Sequence, residues 1–123
     1  MNILLWILQV LLGAFFVMSG YGKAFMSWES LQRIPWIDGV THGQIIFIGW
    51  SEVLGGVGLI LPALTKVVPI LTAWAAVGLT TVMVLATGFH LMRGEYGLMI
   101  LTLVLALLLA FVAYGRFVLK PIR

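Results

Sequence analysis

Glu52 lies well inside the apolar stretch GWSEVLGGVGLILPAL, where an ionisable carboxylate needs a charge partner, a proton to exchange or a chemical use. At the centre of a spanning helix it costs about 2.5 to 3.5 kcal/mol even on a lenient insertion scale. The chemistry open to it is charge pairing or proton uptake and release. Lys23 and His90 are its candidate companions in a polar site, with Trp50, Arg93 and Tyr96 as candidate ligand-binding neighbours. A metal site is not expected: the chain has two histidines and no cysteine, and its carboxylates do not cluster with His42 or His90 in the sequence. The lack of cysteine also excludes disulfides and thiol redox chemistry.

The elements that must position these residues are membrane helices. Of 123 residues, 63% are hydrophobic and 9% charged, with a mean hydropathy of +1.17, which marks an integral membrane protein. At about 20 apolar residues per span, the chain accommodates about four spans and short connections, one compact membrane domain over residues 1–123. Uninterrupted apolar windows place them at Ile3 to Tyr21, Gln44 to Leu64, Val68 to Leu91 and Tyr96 to Val118. The predicted fold class is therefore an all-α, integral membrane four-helix bundle. The first segment reads as a retained helix, because its apolar run exceeds a signal peptide's core.

Thr65–Lys66 and Arg93–Gly94–Glu95 form tight connections, and Pro69 suits the first turn of the third helix. Only the connection from Lys23 to Gly43 is long. It mixes Phe25, Trp28, Leu31, Ile34 and Ile37 with Glu29, Gln32, Arg33 and Asp38, and reads in part as a short interfacial helix ending before Pro35. Both termini share a side with Lys66, Arg116, Lys120 and Arg123, where no acid falls. Lys23, Arg33 and Arg93 lie on the other side, diluted by Glu29, Asp38 and Glu95. Counting Lys and Arg favours cytoplasmic termini, in a bacterial cytoplasmic membrane. The pI of about 9.7 reflects these flanking cations and not a basic run, so no nucleic-acid role is expected.

Small and polar residues mark the faces that helices turn to one another in lipid. Gln9, Gly13, Phe16, Gly20 and Lys23 make such a stripe in the first helix, and Gly49, Glu52 and Gly56 in the second, adjoined by Ser51, Gly55 and Gly58. Ala73, Ala76, Thr80, Met83, Thr87 and His90 continue the pattern in the third, and Thr102, Ala106, Leu109 and Ala113 more weakly in the fourth. Glu52 thus points into the bundle, about 12 Å below the entry of its helix at Gln44, given 1.5 Å per residue. Lys23, Glu52, His90, Arg93 and Tyr96 can converge in that half, beneath the long connection.

Each of these residues also has a plain structural reading. Glu52 can be held in an ion pair with Lys23 or Arg93, and Lys23 and Arg93 can be boundary cations whose stems run along apolar surface. His90 can sit at a helix C-terminus for its dipole. Trp28, Trp36 and Trp50 read first as interfacial anchors, although flat rings beside a buried carboxylate would also suit a quinone-like ligand.

The segments SGYGKAF, GWSEVLGGVGLILP, LATGFHLMRGE and LALLLAFVAYGR, spread over nearly the whole chain, resemble the DoxX-like family of small four-helix membrane proteins. That resemblance implies recurrent polar residues at Lys23, Glu52 and His90. It also implies a range of roles, from small subunits of a thiosulfate:quinone oxidoreductase and other membrane oxidoreductase assemblies to assembly or trafficking helpers. The chain lacks the cysteine pair of the methylamine-utilisation branch.

The expected function is a membrane subunit or accessory of a quinone-linked or other redox assembly, with Glu52 passing a proton as a quinone-like lipid cycles. It would carry no electrons itself, since the sequence offers no haem or iron–sulfur ligand set, so a membrane or redox protein partner or the bound quinone supplies that chemistry. Membrane lipids and a second copy of the chain are the other expected partners. The alternatives are a noncatalytic assembly or scaffold protein and, ranked lowest, a small proton-linked carrier, because four short spans without paired broken helices leave little room for alternating access.

Overall fold

A computed structural model describes residues 1–34 and 36–121; Pro35, the expected stop of the interfacial helix, and the flanking cation Arg123 lie outside the described residues. The protein is an all-α bundle. Among the described residues four helices are long and apolar enough to cross a membrane: α1 (Asn2–Phe25), α3 (His42–Thr65), α4 (Ile70–Met92) and the span Tyr96–Leu119. The last comprises α5 (Tyr96–Tyr114) and a π-helical turn, Gly115–Leu119. A short α2 (Trp28–Leu31) and a 3₁₀ turn (Ile37–Gly39) shape the connection between α1 and α3.

Helix ends depart from the hydropathy windows where polar chemistry extends them. α1 runs on past Tyr21 to Phe25, which keeps Lys23 on a helical face. α3 begins at His42, because Thr41 and Gln44 form a capping box, Gln44 N–H donating to Thr41 Oγ1 at 3.1 Å and Thr41 N–H to Gln44 Oε1 at 2.9 Å. Lys66, at φ 60°, ends α3 in the left-handed conformation, and Pro69 is the N-cap of α4, one residue before its first turn.

α1 packs along α3, α4 along α5, and α3 along α4. Contact between α1 and α3 is backbone on backbone: a methyl group at Gly20 would collide with the Gly49 carbonyl and the Val53 amide nitrogen. A methyl group at Gly56 would sit 2.7 Å from the Gly13 carbonyl. The pairs Gly20/Gly49 and Gly13/Gly56 recur two turns apart on both helices, the spacing of a left-handed crossing of about +20°. The apolar core, centred on Phe16, Leu59, Leu79, Leu109 and Val112, fills the half of the bundle nearer the termini. In the other half α4 and α5 are tied by a hydrogen bond between the Thr87 and Thr102 hydroxyls at 2.9 Å.

Replacing Gly20 or Gly49 by alanine forces the two backbones apart and should cost about 1–3 kcal/mol, the usual penalty of overpacking. Gly78 and Gly88 have open space where a Cβ would stand, so alanine there should be neutral or stabilising by up to about 1 kcal/mol. Unfolding in detergent micelles checks both, and equal costs at Gly49 and Gly78 would refute the close-contact account.

Candidate functional site

The close approach of α1 to α3 sets the first polar contact. Lys23 leaves α1 one turn beyond Gly20, and Glu52 leaves α3 one turn beyond Gly49, so the two side chains meet across the glycine contact. Lys23 Nζ donates to Glu52 Oε1 at 2.5 Å, with side chains 17% and 1% exposed respectively. Glu52 Oε2 is buried and has no hydrogen-bond partner among the described residues. A carboxylate with one satisfied and one unsatisfied oxygen in an apolar bundle retains its capacity to accept a further hydrogen bond or a proton.

His90 stands in the same half of the bundle with a different partner. Gly94, at φ 73°, turns the chain sharply between α4 and α5, and the returning Glu95 places Oε1 2.9 Å from His90 Nδ1. Ionised Glu95 can only accept, so His90 carries its proton on Nδ1, which leaves Nε2 without a hydrogen-bond partner among the described residues. Glu95 also accepts from Arg93 Nε at 3.2 Å, and Arg93 Nη2 donates to Asp38 at 2.5 Å. This chain of contacts fastens the long connection onto the α4–α5 turn. The hydrogen bonds from His90 and then Arg93 hold the Glu95 carboxyl below its usual range, and the bond to Asp38 holds the Arg93 guanidinium above its own.

Trp36 stands between the two polar contacts. Lys23 Nζ lies 5.6 Å from the centre of its ring and the His90 ring 5.7 Å, edge-on. Lys23, Glu52, Trp36 and His90 all line one cavity of about 540 Å³, together with apolar side chains from all four spanning helices. Its size lies within the range of small-molecule sites. Phe47 and Leu85 line it and are 73% and 70% exposed, so its rim opens between α3 and α4 on the surface that faces lipid.

The candidates therefore divide. Lys23 and Glu52 are in contact, and His90 faces the same cavity with Trp36 interposed. Arg93 binds Asp38 and Glu95 and does not reach Glu52. Trp50 is 44% exposed, packs edge-on against Phe25 and is not part of the cavity wall. Tyr96 is exposed at the start of α5, outside that wall. Trp36, which read as an anchor or as a flat ring beside a ligand, lines the wall. Glu95 and Asp38 read only as diluting acids, and their pairing depends on turn geometry that hydropathy does not register. Among the described residues no three His, Asp or Glu side chains gather as metal ligands.

One further polar centre was read only as a flanking charge. Arg116 is 3% exposed and donates from Nε to Gln9 Oε1 at 2.5 Å, and from Nη1 to Asn2 Oδ1 and the Lys120 carbonyl. Gln9 in turn donates to the Leu59 carbonyl at 2.9 Å. Gln9 on the inward stripe of α1 was the available signal, since a buried amide needs partners from other helices.

The profile of the DoxX-like family matches residues 7–112, from the first turns of α1 to the last turns of α5. No curated protein and no solved structure matches the chain.

Breaking the Lys23–Glu52 pair from one side strands a charge, so Lys23→Met and Glu52→Leu should each cost about 3 kcal/mol. The double variant should recover most of that loss, because no charge remains to be buried. Strictly additive costs in micelle unfolding would show that the two side chains do not interact. The Glu95 contact has a pH signature. Its carboxyl is depressed in the folded protein, so its contribution is complete above the usual glutamate value of about 4.5 and is lost as pH falls through the lower folded value. Trp36 fluorescence, with the other tryptophans replaced by phenylalanine, should change on that acid limb and lose the transition in Glu95→Gln.

Proposed function

The chain belongs to the DoxX-like family of membrane proteins, and we propose that it binds a quinone-like lipid as an accessory subunit of a membrane redox assembly, with Glu52 exchanging the proton. One observation carries this reading: Glu52 presents a buried oxygen, unpartnered among the described residues, beside a cavity of about 540 Å³ whose rim opens toward lipid. A carboxylate kept only for helix packing would sit in dry contact, with no space before it.

The lining suits a flat ring bearing oxygen at both ends. Aromatic and aliphatic side chains supply dispersion contact with the ring and its tail. Glu52 Oε2 and His90 Nε2 are acceptors in the same wall, able to take hydrogen bonds from the hydroxyls of a reduced quinone. Oxidation of that quinol releases two electrons and two protons. Glu52 Oε2 would receive one of those protons and His90 Nε2 the other, and a redox partner would take the electrons. Lys23 holds the carboxylate in place through its hydrogen bond to Oε1 and leaves Oε2 facing the cavity.

Flanking charges support cytoplasmic termini in a bacterial membrane. Lys66 and Lys120 are exposed on the terminal side, whereas on the other side Arg93 is neutralised by Asp38 and Glu95.

Protein extracted in a mild detergent should carry a quinone detectable by mass spectrometry of its bound lipids. Glu52→Gln keeps an acceptor for Lys23 and should leave the bundle folded, yet lower proton-coupled quinol oxidation by the assembly at least tenfold. Ala86→Trp fills the cavity and should expel the quinone. Quinone content unchanged in Ala86→Trp, or oxidation unchanged in Glu52→Gln, would refute the proposal.

A further inference from the structure

The end of the bundle opposite Glu52 buries a cation that no acidic side chain among the described residues balances. The protein has four acidic residues. Glu52 pairs with Lys23, Asp38 and Glu95 with Arg93, and Glu29 is exposed on α2; all lie in or beside the half away from the termini. Arg116 occupies the other half, on the π-helical turn that ends the last span. Its acceptors are the neutral oxygens of Gln9, Asn2 and Lys120, which take the protons of Nε and Nη1 and leave Nη2, itself buried, without a partner among the described residues. The ring of Trp6 lies 5.7 Å from its guanidinium carbon and completes the cradle.

A buried charge is stable only when it is paired as well as hydrogen-bonded. We infer that Arg116 is the core of a binding site for a phosphate-bearing anion, and that its occupant is the headgroup phosphate of a membrane phospholipid. Three features favour that source. Asn2 and Lys120 are exposed residues at the outer ends of two spans, so the guanidinium lies one side chain below the surface, at headgroup depth. A free Nη2 edge on a planar fork matches a tetrahedral oxyanion. Lys120 and Lys66 stand exposed at the same end with no acidic side chain beside them among the described residues, and so add attraction for an anionic lipid surface. The site is independent of the cavity at Glu52, and its occupant would act as a structural lipid joining α1 to the end of the last span.

The test uses the full chain in a detergent that strips lipid, with native mass spectrometry and thermal unfolding as readouts. The probes are phosphatidylglycerol, a diacylglycerol of the same acyl chains and inorganic phosphate. Phosphatidylglycerol should bind and raise the melting temperature, the diacylglycerol should not, and Arg116→Gln should weaken phosphatidylglycerol binding at least tenfold. Arg116→Lys, which keeps the charge and loses the fork, should fall between them. Stabilisation of the wild type but not of Arg116→Gln by inorganic phosphate, equal to that by the lipid, would uphold the phosphate site and overturn the lipid as its occupant. Equal stabilisation by phosphatidylglycerol and diacylglycerol, or full retention of phosphatidylglycerol by Arg116→Gln, would overturn the site. Should Arg116→Gln fail to fold, the comparison of the two lipids on the wild type decides alone.

Discussion

The backbone contact between α1 and α3 is the constraint on which the rest of this bundle depends. Apolar side chains gain little by leaving lipid for one another, so association rests on close packing and on polar groups that find partners across helices. Gly20 and Gly49 allow an approach that any Cβ would prevent. That approach sets the position of the next turn on each helix, and the next turn carries Lys23 on one and Glu52 on the other. A charge that would be costly alone is thereby brought to a counter-charge at 2.5 Å. The order of cause runs from glycine to backbone distance to ion pair, and the ion pair then keeps α1 and α3 in register.

The same contact leaves space elsewhere. α3 and α4 are joined by a tight turn near the termini and pack closely there, with Leu79 filling the space before Gly55. Toward the other side no glycine pair draws them together, and Trp36, His90 and Phe89 stand between the connection and the helices. The bundle is therefore solid in one half and hollow in the other. Its acids follow the hollow half and its uncompensated cations the solid one, so the two ends differ in electrostatic character as well as in packing.

How much of this was legible in the sequence depended on whether a feature has a period. The spans, the inward glycine faces and the burial of Glu52 all follow from helical repetition, and the all-α membrane bundle is read from them directly. Lys23 could be placed near Glu52 because both lie on those repeating faces. The partners of His90 and Arg93 could not, since they depend on the turn at Gly94 and on the path from Ser27 to Val40, which has no repeat. Arg116 was hidden for another reason: a cation near the end of a span ordinarily snorkels to the headgroups, and only the amide of Gln9 on the facing helix distinguishes one that turns inward. Trp50 and Tyr96 show the converse, since aromatic rings near a polar site in sequence turn outward when the interface offers them an equally good place.

The direction from which Glu52 can be reached bears on what reaches it. From the aqueous side the connection lies across the cavity, fastened by Asp38 to Arg93 and thence to Glu95 and His90, with Trp36 beneath it. From the lipid side the exposed lining residues are Phe47 and Leu85 between α3 and α4 and Phe15 and Leu101 on α1 and α5, apolar side chains with no polar contact that a ligand would have to break. A water-soluble substrate would have to unfasten several charged contacts and then enter an apolar space, losing its hydration with little to replace it. The proposed lipid-soluble ring with a hydrocarbon tail would enter from a medium like the cavity itself, and would surrender hydration only at the few oxygens that Glu52 and His90 could receive. The asymmetry of those two routes supports the proposal of a membrane-dissolved ligand independently of the lining chemistry, with the connection as a cover over the carboxylate as well as a link between two helices.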